Sequence, residues 1–155
     1  MGAPDLGIEE QDAVMDTLKS GWITQGPRTQ KFEKELCTFT NSKSAIAMNN
    51  GTSTLYAALL SLDIKTGDEV LVPNLTYLSS VSTILMTGAT PVLLGCDDTF
   101  NTPPELVREA ISKNTKAVLS VDMKGMPIDY HAYLEICDEF GITLIADSAE
   151  ALGAT

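Results

Sequence analysis

Short apolar runs rich in Val, Ile and Leu alternate along this chain with longer segments of helical period, and turn residues mark each change. That alternation narrows the choice of fold more than any other feature. Strands joined through helices pair in parallel and take helices on both faces of the sheet. The spacing predicts strands at 45–48, 69–72, 90–94, 117–121 and 143–146, with helices at 52–62, 77–87, 103–112 and 130–140. Two more helices, at 8–19 and 28–40, precede the first strand, and the Gly and Pro of SGWITQGP separate them. The expectation is an α/β fold with a mainly parallel sheet flanked by helices. At 155 residues, 44% of them apolar, the chain is the size of one domain and can bury a substantial core.

Local signals sharpen two of the helices. Thr102 and Glu105 stand at N-cap and N3 spacing, a capping box, with Pro103 at the tolerated first position and Leu106, Val107, Ala110 and Ile111 on one face. Gly141, just past Phe140, suits the left-handed position that ends a helix.

Composition removes several functions. Ten basic against twenty-one acidic residues give a net charge of −11, with no Lys/Arg cluster to meet a phosphate backbone, so nucleic acid and anionic membrane are poor partners. No run approaches the roughly 20 apolar residues of a spanning helix, and the N-terminus lacks a signal-peptide pattern, so a cytoplasmic location is the default expectation. Cys37, Cys96 and Cys137 are widely spaced and form no C-x-x-C pair, and read as reduced core thiols. The single histidine, His131, falls beside the apolar stripe of Tyr130, Tyr133, Leu134 and Cys137 and reads as a surface residue, with no triad or metal-ligand set around it.

Ligands of parallel sheets bind at the carboxyl ends of the strands. Three such ends carry chemistry here. After the predicted strand at 45–48, Asn50 and Gly51 make a turn, and Thr52 and Ser53 open a helix whose free N–H groups and hydroxyls suit an anion, although taken alone the hydroxyls read more simply as an ordinary cap. After the second strand, Tyr77 begins the next helix near the same edge, where its ring can stack on a flat ligand or simply pack on the core. After the last strand, the apolar run 142–146 delivers Asp147, with Glu150 three residues on. A carboxylate at the end of an apolar run calls for a cationic partner. An anion turn, an aromatic plate and a carboxylate together fit a planar phosphorylated heterocycle with a protonated ring nitrogen, and pyridoxal phosphate (PLP) has all three features. The glycine fingerprint of a dinucleotide site and the Walker sequence are both missing, which disfavours a dinucleotide-dependent oxidoreductase.

GWITQGP followed by FEKEL, NNGTSTLYAALLSL, GDEVLVPNLTYLSSVSTILMTGATPVLL, NTKAVLSVDMKGMPIDY and LIADSAEALGA occur in this order. With them the sequence resembles the PLP-dependent sugar aminotransferases of the DegT/DnrJ/EryC1/StrS type, in the aspartate aminotransferase fold. The resemblance implies that Thr52 and Ser53 bind phosphate with Gly51 giving the turn, that Tyr77 stacks on the pyridine ring, and that Asp147 pairs with its nitrogen. Glu150 matches a position near the cofactor's 3-hydroxyl and is most similar to the GDP-perosamine synthase branch, while Trp22, Ile23, Thr24, Gln25 and Gly26 resemble the stretch bordering the substrate pocket. Where relatives commonly show VHLYG, this chain has VDMKG, which places Asp122 and Lys124 at the His and aromatic positions.

The family's Schiff-base lysine lies downstream of DSAEA, beyond Thr155, and none of the lysines present matches it. The resemblance thus implies the N-terminal part of a large PLP domain, inactive alone and lacking the rest of that domain and a small C-terminal domain. For the intact protein it implies a homodimer that moves an amino group, from glutamate, to a nucleotide-linked keto-sugar in deoxyaminosugar and O-antigen lipopolysaccharide synthesis. A sugar dehydratase of the same family, with histidine at the lysine position, and a non-catalytic or regulatory relative are the alternatives.

Overall fold

The structure, a computed structural model, describes residues 4–154. These form two units that part between Ala47 and Met48. The first holds α1 (Ile8–Ser20) and α2 (Pro27–Thr40). Gly21, at φ 72°, ends α1 in the left-handed region and returns its N–H to the Leu18 carbonyl; Pro27 opens α2 at a position that needs no donor. Neither helix buries a residue fully.

The strand expected at 45–48 does not form. Paired backbone is what makes a strand, and among the described residues the ladder partners are confined to four later segments. Ile46 is instead 78% exposed, and the Ala47 N–H is taken at 2.9 Å by the Glu33 carboxylate.

The second unit is an α/β layer. After α3 (Gly51–Ser61) come β1 (Glu69–Pro73), α4 (Leu78–Met86), β2 (Thr90–Leu94), α5 (Pro104–Ala110), β3 (Thr115–Val121), a 3₁₀ turn (Met123–Gly125), α6 (Tyr130–Phe140) and β4 (Thr143–Asp147). All three pairings are parallel, in the order β2-β1-β3-β4. Side chains alternate between two cores because successive strand residues face opposite sides. Val70, Val72, Ala117, Leu119, Val121 and Ile145 pack with Leu55 and Leu59 of α3 and Ile84 of α4. Leu71 and Val118 pack with Val107 of α5 and with Tyr133, Ile136 and Cys137 of α6. Burial on both faces is why these strands read as continuous apolar runs rather than as alternating ones.

Two local expectations meet different outcomes. Gly141 ends α6 at φ 64°, as its position implies, and Asp129 caps the start of that helix through the Ala132 N–H at 3.0 Å. The Thr102 capping box does not form. Pro104 follows Pro103 and excludes it from helical backbone, so Pro103 becomes the N-cap and α5 begins one residue later. Thr102 turns inward, 4% exposed, with its hydroxyl unpartnered and its carbonyl accepting the Tyr133 hydroxyl at 2.8 Å. The helix also ends at Ala110, since Ile111 is extended. Of the thiols expected in the core only Cys137 is buried; Cys37 and Cys96 are half-buried, and all three are free.

Tyr133 is 1% exposed, and its hydroxyl tethers the loop before α5 to α6. Tyr133→Phe strands the Thr102 carbonyl in the interior and should cost about 1–3 kcal/mol in urea unfolding. An unchanged midpoint would show that the bond carries no net stability.

Candidate functional site

Each helix that follows a strand in a parallel layer starts at the strands' carboxyl edge, and that edge here opens into a cavity of about 840 Å³. Asn50, Gly51, Thr52 and Thr54 of the α3 start line it, as do Thr76 and Tyr77 ahead of α4, Val121 at the end of β3 with Met123 beyond it, and Asp147 at the end of β4 with Ser148, Ala149 and Glu150 beyond it. Of the residues expected at a site, the structure brings Gly51, Thr52, Tyr77, Asp147 and Glu150 to this one space. Ser53 is not in its lining, and Thr54 is.

The α3 start is built by Asn50, not by either expected hydroxyl. Its side chain caps the helix by accepting the Ser53 N–H at 2.8 Å, and Thr54 folds back to donate to the Gly51 carbonyl at 2.6 Å. The Thr52 hydroxyl is therefore not spent on capping. The space where a Cβ of Gly51 would stand is open to at least 4 Å. Helix N-termini carry unpaired N–H groups and partial positive charge, so this corner suits an anion such as a phosphate.

Tyr77 is the N-cap residue of α4 and is 76% exposed, so its ring lies free beside the cavity and is not packed on the core. Asp147 closes β4 with one oxygen accepting the Ala149 N–H at 3.2 Å and the other a long 3.5 Å bond from the Ser80 hydroxyl, which also bonds Thr76 at 2.8 Å. No ion pair among the described residues includes Asp147. Its carboxylate thus keeps acceptor capacity for a cationic N–H donor. Glu150 is exposed and accepts the backbone N–H of Lys124 at 2.6 Å. An anion corner, a free aromatic face and an under-used carboxylate fit PLP at its phosphate, ring and ring nitrogen.

Asp122 and Lys124 prove to be parts of this edge. Lys124 adopts φ 56° in the 3₁₀ turn, and its ammonium sits 3.6 Å over the Phe100 ring rather than in the cavity. Asn101 holds the same turn, donating to the Met126 carbonyl at 2.8 Å and accepting the Met123 N–H at 3.1 Å. Asp122 is buried and takes the Tyr130 hydroxyl at 2.6 Å. Burial first, and then that bond to a carboxylate, push the Tyr130 hydroxyl up to about 12. Sequence reasoning missed Thr76, Ser80, Asn101 and Ser148, and took Asn50 for a turn residue without its capping role. Only Asn50 carried a signal, as a strong N-cap residue ahead of Gly-Thr-Ser.

The stretch from Trp22 to Gly26 lies in the first unit. Trp22, Ile23, Thr24 and Gly26 line a cavity of about 350 Å³ together with Arg28 and Thr29. The indole N–H donates to the Gln25 carbonyl at 3.1 Å, and the ring lies so close to Gly26 that a Cβ there would overlap it. His131 is at the surface facing Glu135 at 3.3 Å. Among the described residues no cluster of His, Cys, Asp and Glu can hold a metal, and no helix is long and apolar enough to cross a membrane.

Residues 4–155 match the DegT/DnrJ/EryC1/StrS aminotransferase family. Among solved structures, the aminotransferase from Psychrobacter cryohalolentis is 37% identical with a TM-score of 0.95, over 100% of this chain and 40% of its own. DesV from S. venezuelae is 37% identical, TM-score 0.91, over 94% of this chain and 40% of its own. Spr1654 from Streptococcus pneumoniae, described as a sugar aminotransferase and solved in its PLP form, is 34% identical, TM-score 0.90, over 97% of this chain and 42% of its own. The chain therefore spans about 40% of the length of the structures it matches.

Trp22 is the single tryptophan, so its emission reports this loop alone. Gly26→Ala must push the indole aside and should shift the emission maximum, and an unmoved spectrum would contradict the close approach. Tyr130 holds its proton more tightly folded than unfolded, so its contribution is complete below about pH 10 and is lost as pH rises toward about 12. Tyr130→Phe should flatten the fall in stability across that window, measured by urea unfolding at stepped pH.

Proposed function

The chain belongs to the DegT/DnrJ/EryC1/StrS aminotransferase family, and on that premise we propose that it forms the N-terminal part of the PLP-binding domain of a sugar aminotransferase. The reaction is transfer of an amino group from glutamate to a nucleotide-linked keto-sugar, in the making of a deoxyaminosugar for a surface polysaccharide such as O-antigen lipopolysaccharide. The enzyme works in the cytoplasm as a homodimer. PLP, when bound, supplies the electron sink that amino transfer requires.

The observation that carries this reading is the meeting of Gly51 and Thr52, Tyr77 and Asp147 around one cavity of about 840 Å³. In the proposed arrangement the α3 N–H groups and the hydroxyls of Thr52 and Ser53 take the phosphate. Tyr77 covers one face of the ring, fixing its plane and excluding water from that side. Asp147 accepts the hydrogen of the ring nitrogen and holds it protonated. Glu150, held by the Lys124 N–H at 2.6 Å, stands toward the ring's 3-hydroxyl side. Trp22, Ile23, Thr24, Gln25 and Gly26 border the sugar. Among the described residues no lysine lines the cavity, and the lysine that bonds the cofactor comes from outside them.

Pyridoxamine phosphate shares the phosphate and ring and needs no bond to lysine, so its affinity for the chain, read by equilibrium dialysis, tests the site directly. Asp147→Ala removes a charge-assisted hydrogen bond and should weaken binding about tenfold or more. Binding to Asp147→Ala at wild-type strength would overturn the role given to Asp147, and failure of the wild-type chain to bind at all would overturn the cofactor reading.

A further inference from the structure

Asp122 is the only charged side chain buried among the described residues, at 3% exposure, and no ion pair described includes it. Its carboxylate is instead saturated by neutral donors. One oxygen accepts both the Tyr130 hydroxyl and the Ser148 hydroxyl at 2.6 Å; the other accepts the Ile128 N–H at 3.0 Å. The two hydroxyls stand 3.1 Å apart and close a triangle with the carboxylate. Bonds of this length to an ionised acceptor are stronger than neutral ones, and they fix the groups that donate them.

Ser148 is the residue directly after Asp147, and the Asp122 N–H donates to the Asp147 carbonyl at 3.1 Å. Asp122 thus grips the chain at two successive points just past the Asp147 α-carbon, the Asp147 carbonyl and the Ser148 hydroxyl. The Asp147 side chain by itself is held far more loosely, by the 3.5 Å bond from Ser80 and an N–H of its own turn. The angle at which it enters the cavity is therefore set by the backbone, and the backbone there is set by Asp122.

We propose that Asp122 is a positioning residue for Asp147: through the Ser148 hydroxyl it fixes the turn after β4, and with it the direction from which the Asp147 carboxylate meets a ring nitrogen. This rests on the cofactor reading given above. It requires the Asp122–Ser148 link and the Asp147 carboxylate to act as one unit toward the ligand.

The test compares Asp122→Asn, Ser148→Ala and the double variant in pyridoxamine phosphate affinity and in amide hydrogen exchange at Ala149 and Ala151. Their N–H groups bond to the Asp147 side chain and the Ser148 carbonyl. Each single variant should weaken binding about tenfold and speed exchange at these two amides by a similar factor, leaving β1 amides unchanged. The double variant should be no worse than either single one, because both cut the same link. Tyr130→Phe keeps the carboxylate and the Ser148 bond, and should retain wild-type affinity. Additive losses, or a lowered melting temperature with affinity and turn exchange unmoved, would reduce Asp122 to a structural residue and overturn the proposal. If Asp147→Ala binds like wild type, the role given to Asp147 fails and the role of Asp122 toward the ring falls with it, while the exchange data still decide whether Asp122 holds the turn.

Discussion

The parallel pairing of β3 with β4 runs from Ala117 opposite Thr143 to Val121 opposite Asp147, and one further hydrogen bond, from the Asp122 N–H to the Asp147 carbonyl, extends it past the strand ends. The chemistry of the site depends on this register. A slip of one residue would turn every side chain of β4 to the other face of the sheet. Asp147 would then leave the cavity and Ile145 the core beside α3 and α4. The register is held by burial on both faces, with Ala117, Leu119 and Val121 on one side and Val118 on the other. The position of one carboxylate thus follows from packing several residues away.

Parallel strands also explain why groups distant in sequence meet. Each strand delivers its carboxyl end to the same edge, and each following helix begins there, so Tyr77 and Asp147 become neighbours of one cavity although the chain between them crosses the sheet more than once. The cavity has two chemical ends. The α3 start offers donors and partial positive charge, and the β4 end offers Asp147 and Glu150. A ligand that is anionic at one pole and cationic at the other is oriented by that polarity alone.

Much of this was legible in the sequence for a physical reason: apolar runs that must be covered on both faces have few ways to fold, and four of the five predicted strands pair as the alternation implies. The exception, 45–48, shows the limit. An apolar run states what should be buried, but a strand also needs a neighbour to complete its hydrogen bonds. Thr102 failed for a local reason, because Pro104 after Pro103 moved the helix start by one residue. The helix start at the cavity edge was legible through its Gly and hydroxyls, yet Asn50 caps it and Thr54 lines the cavity where Ser53 was expected. Asp122 stood out in the sequence only as a departure from VHLYG, with no sign of what it holds. Its function lies in bonds to Tyr130 and Ser148, and such long-range bonds leave no periodicity to read.

Cys137 lies in the core between the sheet and α6, 4% exposed, and burial pushes its thiol up from the ordinary value. A thiol that is both covered and protonated is a poor nucleophile, whereas Cys37 and Cys96 are only half-covered. The slowest alkylation of the three then clocks how often α6 lifts from the layer beneath it, which makes an unmodified side chain a built-in gauge of local opening.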